Sequence, residues 1–164
     1  MALTIIRIKP NPTGKDRPPH SGPTAEQLAA EWLDFKNDTG NTLTLDGVAL
    51  YHVAYPTGGQ PTWSRIMTFK GGLKPSEIVR VHSGRDRGLA VIRAEDRAGA
   101  THHLFTGDDA FVWNNRQGDR PRLKNKTANQ EIDQAWYGPN QPEGAVLVRV
   151  GDQLVVGQAR AANW

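Results

Sequence analysis

The chain has 164 residues, a formal net charge of +3, 37% hydrophobic residues including five Trp, and no Cys. That length suits one well-buried core and is short for two, and the missing Cys excludes a disulfide framework, a thiolate zinc site and a thiol nucleophile. A mild basic excess falls short of the dense basic stripe of a dedicated nucleic-acid binder, and 17 Gly with 11 Pro point to turns rather than long helices.

The opening MALTIIRIKP lacks the basic n-region and long apolar run of a signal peptide. No segment approaches the roughly 20 apolar residues that span a bilayer, so a soluble, cytoplasmic chain without membrane contact is expected. LTIIRI is rich in β-branched residues and predicts a strand, closed by the Pro-rich loop 9–24. Thr24 followed by Gln27 is a capping-box pattern ahead of AEQLAA, which predicts a turn or two of helix.

The period then changes. In WLDFKN, Leu33 and Phe35 share one face while Asp34 and Lys36 take the other, and alternation resumes through Leu43, Leu45, Val48, Leu50 and His52. Residues 31–53 are therefore expected to be mainly strand. WSRIMTFK, EIVRVHS, LAVIRA, THHLF, AFVW, RPRLKN and EIDQAWYG follow as short β-like runs bounded by Gly, Pro, Asp or Asn. The charged, Gly-punctuated stretch SGRDRGLAVIRAEDRAGAT predicts a hairpin projecting from the core. Finally, Gly151-Asp152 between GAVLVRV and QLVVGQA is a two-residue hairpin signal. Many short strands at regular spacing indicate an all-β sandwich or barrel.

Several of these segments, in order, resemble the lamin tail domain. They are the opening Glu31-Trp32-Leu33-Asp34-Phe35-Lys36-Asn37, the run Leu45 to Leu50 with Gly47, FKGGLKPSEIVRVHSG at 69–84 and VWNNRQGDRPRL at 112–123. Two features depart from the family pattern: Val48 stands where it carries Trp, and residues 83–110 are longer. The resemblance implies an immunoglobulin-like β-sandwich over residues 1–138, with residues 139–164 as an extra C-terminal hairpin packed on the same domain or on a partner. It also implies an interaction or structural role, and adds DNA and chromatin proteins to the partner classes.

Complete catalytic constellations are missing. Asp38-Thr39-Gly40 matches the aspartic-protease triplet, but a single copy in the polar setting KNDTGNT reads as a β-turn. His102 and His103 are adjacent on a strand and point to opposite faces, so one ion cannot readily take both, although one of them could meet His82 or His52. There is no G-x-S-x-G, P-loop or H-E-x-x-H sequence. No enzyme and no cofactor are expected.

Binding remains. The leading expectation is a non-enzymatic module for protein partners or self-association, through apolar residues of the C-terminal run: Val146, Val148, Val150, Leu154 and Trp164. The alternative is nucleic-acid binding through Arg116, Arg120, Arg122, Lys124 and Lys126, with Trp63, Trp136 or Tyr137 as stacking groups. A third is an accessory domain of a metal-dependent hydrolase system. Trp32 and Trp113 are expected in the core, and Asp119 as a turn carboxylate accepting backbone N–H bonds.

Overall fold

A computed structural model describes residues 3–157. The chain is all-β in character, mostly strand with little helix, and its strands lie in several sheets. They are β1 (Leu3–Lys9), β2 (Trp32–Asn37), β3 (Leu43–Thr44), β4 (Val48–Ala54), β5 (Thr62–Thr68), β6 (Gly72–Leu73), β7 (Ile78–His82), β8 (His102–Phe105), β9 (Arg122–Asn125), β10 (Gln130–Gln134), β11 (Leu147–Val150) and β12 (Gln153–Val156). Two short helices, α1 (Ala25–Ala29) and α2 (Ala94–Arg97), complete the elements together with a 3-10 turn at Leu89–Val91. One sheet has the order β12-β11-β1-β2-β7-β8, a second the order β10-β9-β4-β5, and β3 pairs with β6.

The two large sheets share one core. Ile5, Ile8, Leu33, Phe35 and Val79 come from the six-stranded sheet, and Leu50 and Leu123 from the four-stranded one. Trp113 is buried in the same cluster, as expected of a large apolar body in a small fold. The capping box forms: the Gln27 amide donates to Thr24 Oγ1 at 3.1 Å and the Thr24 amide donates to Gln27 Oε1 at 2.9 Å.

The C-terminal hairpin completes the chain's own sheet. β11 pairs with β1 through Arg7↔Val148 and Ile8↔Leu147, β12 pairs back on β11, and Gly151 sits at the turn with φ +65°. Leu147 and Leu154 enter the shared core. The far side of β12 is partly closed as well, because the Trp136 amide donates to Asp152 O and the Leu154 amide donates to Trp136 O.

Two strand expectations fail for physical reasons. The stretch 83–101 is not a hairpin. It holds the 3-10 turn and α2, and it crosses from β7 to β8, which are parallel and so cannot be joined by a tight turn. AFVW is not a strand either, because the Val112 and Trp113 amides donate to the Glu31 carboxylate instead of to a neighbouring strand, at 2.7 and 3.2 Å.

The crossover changes what the outer face of the six-stranded sheet is made of. Alternation puts Asp34 on a solvent face, yet Asp34 is fully buried. It accepts from Arg7 Nε at 2.9 Å and from Arg80 Nε and Nη2 at 2.7 and 2.8 Å. Arg80 Nη1 also donates to the carbonyls of Asp96 and Ala98, and Asp96 accepts from Lys9 Nζ and Trp32 Nε1 at 2.7 and 2.8 Å. The crossover is thus latched onto the sheet by an ion network in addition to the burial of Ile92.

Beside this network, His82 and His103 form a pair. The Ala29 carbonyl can only accept, so the 2.6 Å contact places a proton on His82 Nδ1. His82 Nε2 then accepts from His103 Nδ1 at 2.8 Å, while His102 turns the other way toward Glu77. Burial, the larger cause, and the nearby His103 and Arg80 charges lower His82 from 6.5 to about 4. Burial also lowers His103. On unfolding His82 regains its ordinary value, so between pH 6.5 and about 4 the unfolded chain binds a proton that the folded chain refuses. This contribution to stability is complete above pH 6.5 and is lost as the pH falls toward 4. Its ceiling is roughly 3 kcal/mol. Urea titrations at several pH values should show stability declining through this window, and His82→Asn should flatten the decline. An unchanged slope in the variant would assign the effect to other groups.

Candidate functional site

The outer face of the four-stranded sheet collects what the sequence scatters. Arg122 and Lys124 alternate on β9 around the core residue Leu123 and so point outward together. Register places Tyr51 of β4 between Arg122 on one side and Arg65 of β5 on the other. Trp63, two residues from Arg65, shares that face and is 41% exposed. The Arg122 guanidinium lies over the Trp63 ring at 4.7 Å, reaching across β4. Glu131, opposite Lys124 on β10, stands 2.9 Å from Arg122 Nε as the face's carboxylate. Gln134 links Glu131 to Arg120, donating to the first and accepting from the second at 2.8 and 3.0 Å.

Beyond one end of this face, Tyr55, Trp136, Arg120 and Gln117 rim a hollow of about 200 Å³. Arg116 is exposed in the loop before it, and Lys126 is exposed in the turn beyond the other end. Arg122 and Lys124 of the expected basic stretch therefore share a face, Arg120 borders it, and Arg116 and Lys126 lie apart from it. Tyr137 is corrected. It is 2% exposed and its hydroxyl donates to Asn114 O at 2.7 Å, so it cannot stack on a ligand. Burial first, and then the charges of Asp119 and Glu31, push its phenol well above the usual range, which keeps it a donor.

The apolar partner set divides differently. Val150 is 61% exposed and Val146 and Val148 are half-buried, but Leu154 is 1% exposed inside the chain's own core and is not free for a partner. Trp164 lies outside the described residues.

Asp119 fixes the loop that delivers Arg120 and Arg122. Its side chain is fully buried and accepts from the amides of Val53, Asn114 and Arg120, from Asn114 Nδ2, and from His52 Nδ1 at 2.9 Å. The expected turn carboxylate is there, and it does more than close a turn. Gly118 before it has φ +75°, and a Cβ there would meet Tyr137 O at 2.3 Å, so the residue must be glycine. Glu31 plays the matching role at the other end of the motif. It is fully buried and accepts from Lys15 Nζ at 2.5 Å, from the Ser83 hydroxyl and from the two amides of the 112–113 segment.

No protein-family model matches the chain, and no curated protein matches it.

Among the described residues no group of three or more His, Asp or Glu is placed to hold a metal ion, and no helix is long and apolar enough to cross a membrane. Asp38 sits in a turn and accepts from the Thr4 hydroxyl.

Sequence reasoning missed Arg65, Tyr51 and Tyr55 because it looked for charge clustered along the chain. The signal was available in part as alternation: Trp63 and Arg65 fall two apart on β5, and Tyr51 takes the outward position between Leu50 and His52 on β4, although inward His52 and Ser64 break the apolar pattern.

Proposed function

We propose that the chain is a non-catalytic binding module of lamin-tail type, with an immunoglobulin-like sandwich, that binds single-stranded nucleic acid on its four-stranded sheet. The strand order supports the immunoglobulin-like part. β1-β2-β7 opposed to β10-β9-β4-β5 matches the A-B-E and G-F-C-C′ orders of that fold, to which β8 and the C-terminal hairpin are additions. The residues that carry the lamin-tail resemblance support it too: Glu31, Gly118 and Asp119 are clamps of the fold, and Asn37 ties its loop through the carbonyls of Asn41 and Leu73.

One observation carries the ligand. Arg65, Arg122 and Lys124 stand on one sheet face with an exposed Trp63 among them, opposed by Glu131. Cations would track phosphates while Trp63 and Tyr51 offer ring faces to bases, the combination that binds single strands with little sequence preference. An open sheet face suits a splayed single strand better than the groove of a duplex does.

Fluorescence anisotropy with labelled single-stranded dodecamers tests this. Binding should be detectable near about 50 mM salt and fall steeply with added salt as counterions are released. The triple substitution Arg65→Ala, Arg122→Ala and Lys124→Ala should weaken it for all sequences alike, and Trp63→Ala should cost about 1–3 kcal/mol. Absence of binding at low salt, or affinity unchanged in the triple variant, removes this reading.

A second reading, protein association, draws on the hairpin. Val146, Val148 and Val155 are half-buried and Val150 is exposed, and together they make an apolar patch beside the crossover. It ranks second because Leu147, Leu154 and the Trp136 bridge already commit the hairpin's inner face and part of its edge to the chain itself.

A further inference from the structure

On the opposite side of β5 from Trp63 and Arg65, the structure assigns a second site. We propose that the free edge of β5 takes an extended segment of a protein partner, whose tyrosine side chain enters a cavity ending at His52. This goes beyond nucleic-acid binding and uses none of the side chains that carry it except the rim of Arg65.

His52 and Ser64 are register partners on the core-facing side of β4 and β5. The Asp119 carboxylate accepts the proton of His52 Nδ1, which leaves Nε2 as a bare acceptor in the neutral ring. Trp113 holds the imidazole edge-on at 5.7 Å between centroids. The ring lines a cavity of about 210 Å³. Half-buried Ile66, Phe111 and Val112 supply apolar walls, and the exposed Arg65 and Asp108 oppose each other at the rim.

Each property narrows the occupant. Whole-molecule ligand sites run to roughly 300–1,000 Å³, so this cavity fits one side chain. Opposite charges at the rim favour a neutral group. Apolar walls beside Ser64, Thr106 and an imidazole acceptor with no partner among the described residues call for an apolar body with a donor at its tip. A tyrosine ring with its O–H meets all three requirements.

The edge supplies the rest. β5 ends the four-stranded sheet, so among the described residues no strand pairs with its far side. A separate, wider opening of about 550 Å³ touches the same strand at Met67 and is lined also by Arg85, Asp86, Arg87, Phe105 and Gly107. An extended peptide could add its backbone along the edge of β5 and drop one side chain into the His52 cavity, the pattern of strand-addition sites.

The test varies the ligand and leaves the protein intact, since any substitution of His52 would strand Asp119. NMR titration should show p-cresol saturably shifting the His52 and Phe111 ring signals. p-Xylene, which puts a methyl where the hydroxyl stands and so keeps the size but lacks the O–H, should bind about tenfold more weakly or worse. Acetyl-Thr-Tyr-Thr-amide should bind more tightly than acetyl-tyrosinamide, because the longer molecule can make more main-chain bonds to β5, and more tightly than acetyl-Thr-Phe-Thr-amide. No saturable shift with p-cresol, or equal binding of p-xylene, overturns the tyrosine cavity. A tripeptide no tighter than the single residue overturns the strand partner. An oligonucleotide added to the p-cresol complex should leave p-cresol bound, and its displacement would overturn the separation of the two sites. Failure of oligonucleotide binding alone touches only the sheet-face reading.

Discussion

Arg80→Ala is expected to lower folding stability by about 3–5 kcal/mol, the cost of breaking a buried ion pair from one side. Arg80 is 2% exposed, and its loss leaves fully buried Asp34 with Arg7 as its single cationic partner. The carbonyls of Asp96 and Ala98 lose their donor, and the Trp32 ring loses the guanidinium that covers it at 3.6 Å. Domains of this size are commonly stable by roughly 5–15 kcal/mol, so the variant should be marginal. Arg80→Lys should recover little, because an ammonium cannot make the forked contact to both Asp34 oxygens while also reaching the crossover. Urea unfolding measures the loss, and limited proteolysis within residues 85–101 should report the released latch. A midpoint within experimental error of the parent would mean that the ion network is incidental to the fold.

Asp119→Ala should be comparably severe and should also reach function. The substitution orphans the amides of Val53, Asn114 and Arg120 and removes the partner of His52. Buried donors left unmet cost about 1–3 kcal/mol each, and water entering the space would recover part of that. We expect a net loss of about 3 kcal/mol. Asp119→Asn keeps one acceptor oxygen but turns an NH₂ toward donors, so it should lie between parent and alanine. Two readouts separate a specific role from general damage. The His52 ring should lose its fixed Nδ1–H tautomer in nitrogen-detected NMR, and oligonucleotide affinity should drop as Arg120 and Arg122 lose their support. Unchanged tautomer and affinity in a folded variant would detach Asp119 from both sites.

Much of the fold was legible because it rests on local signals. Alternation marked β2 and β4, β-branched composition marked β1, a turn-bounded β-like run marked β5, Thr24 with Gln27 marked α1, and Gly151-Asp152 marked the hairpin, each within a few residues. The place of Trp113 in the core needed only its size, whereas Trp32 is buried on the other face of β2, under the crossover, where its indole donates to Asp96 and Arg80 covers its ring. What sequence could not show depends on partners far along the chain. Asp34 reads as a solvent residue because its cover, α2, lies some sixty residues away and joins it through Arg80. AFVW has strand composition, but its amides answer to Glu31 on a distant segment.

The candidate surface was legible in part for the same reason. Arg122 and Lys124 stood out as basic residues two apart on a strand. Their neighbours Arg65, Tyr51 and Trp63 belong to other strands and become neighbours only through register, including the irregularity between Leu50 and Tyr51 that sets which β5 residues face outward. Tyr137 and Leu154 show the converse. Both look available by residue type, and both are consumed by internal packing.

Chemical-shift mapping of the ¹⁵N-labelled chain during titration with a single-stranded dodecamer tests the central claim most directly. The sheet-face account predicts the largest changes at the Trp63 indole and the backbones of Tyr51, Arg65, Arg122 and Lys124, with the hairpin strands β11 and β12 unaffected. Shifts confined to Val146–Val156, or no shifts at low salt, would contradict it.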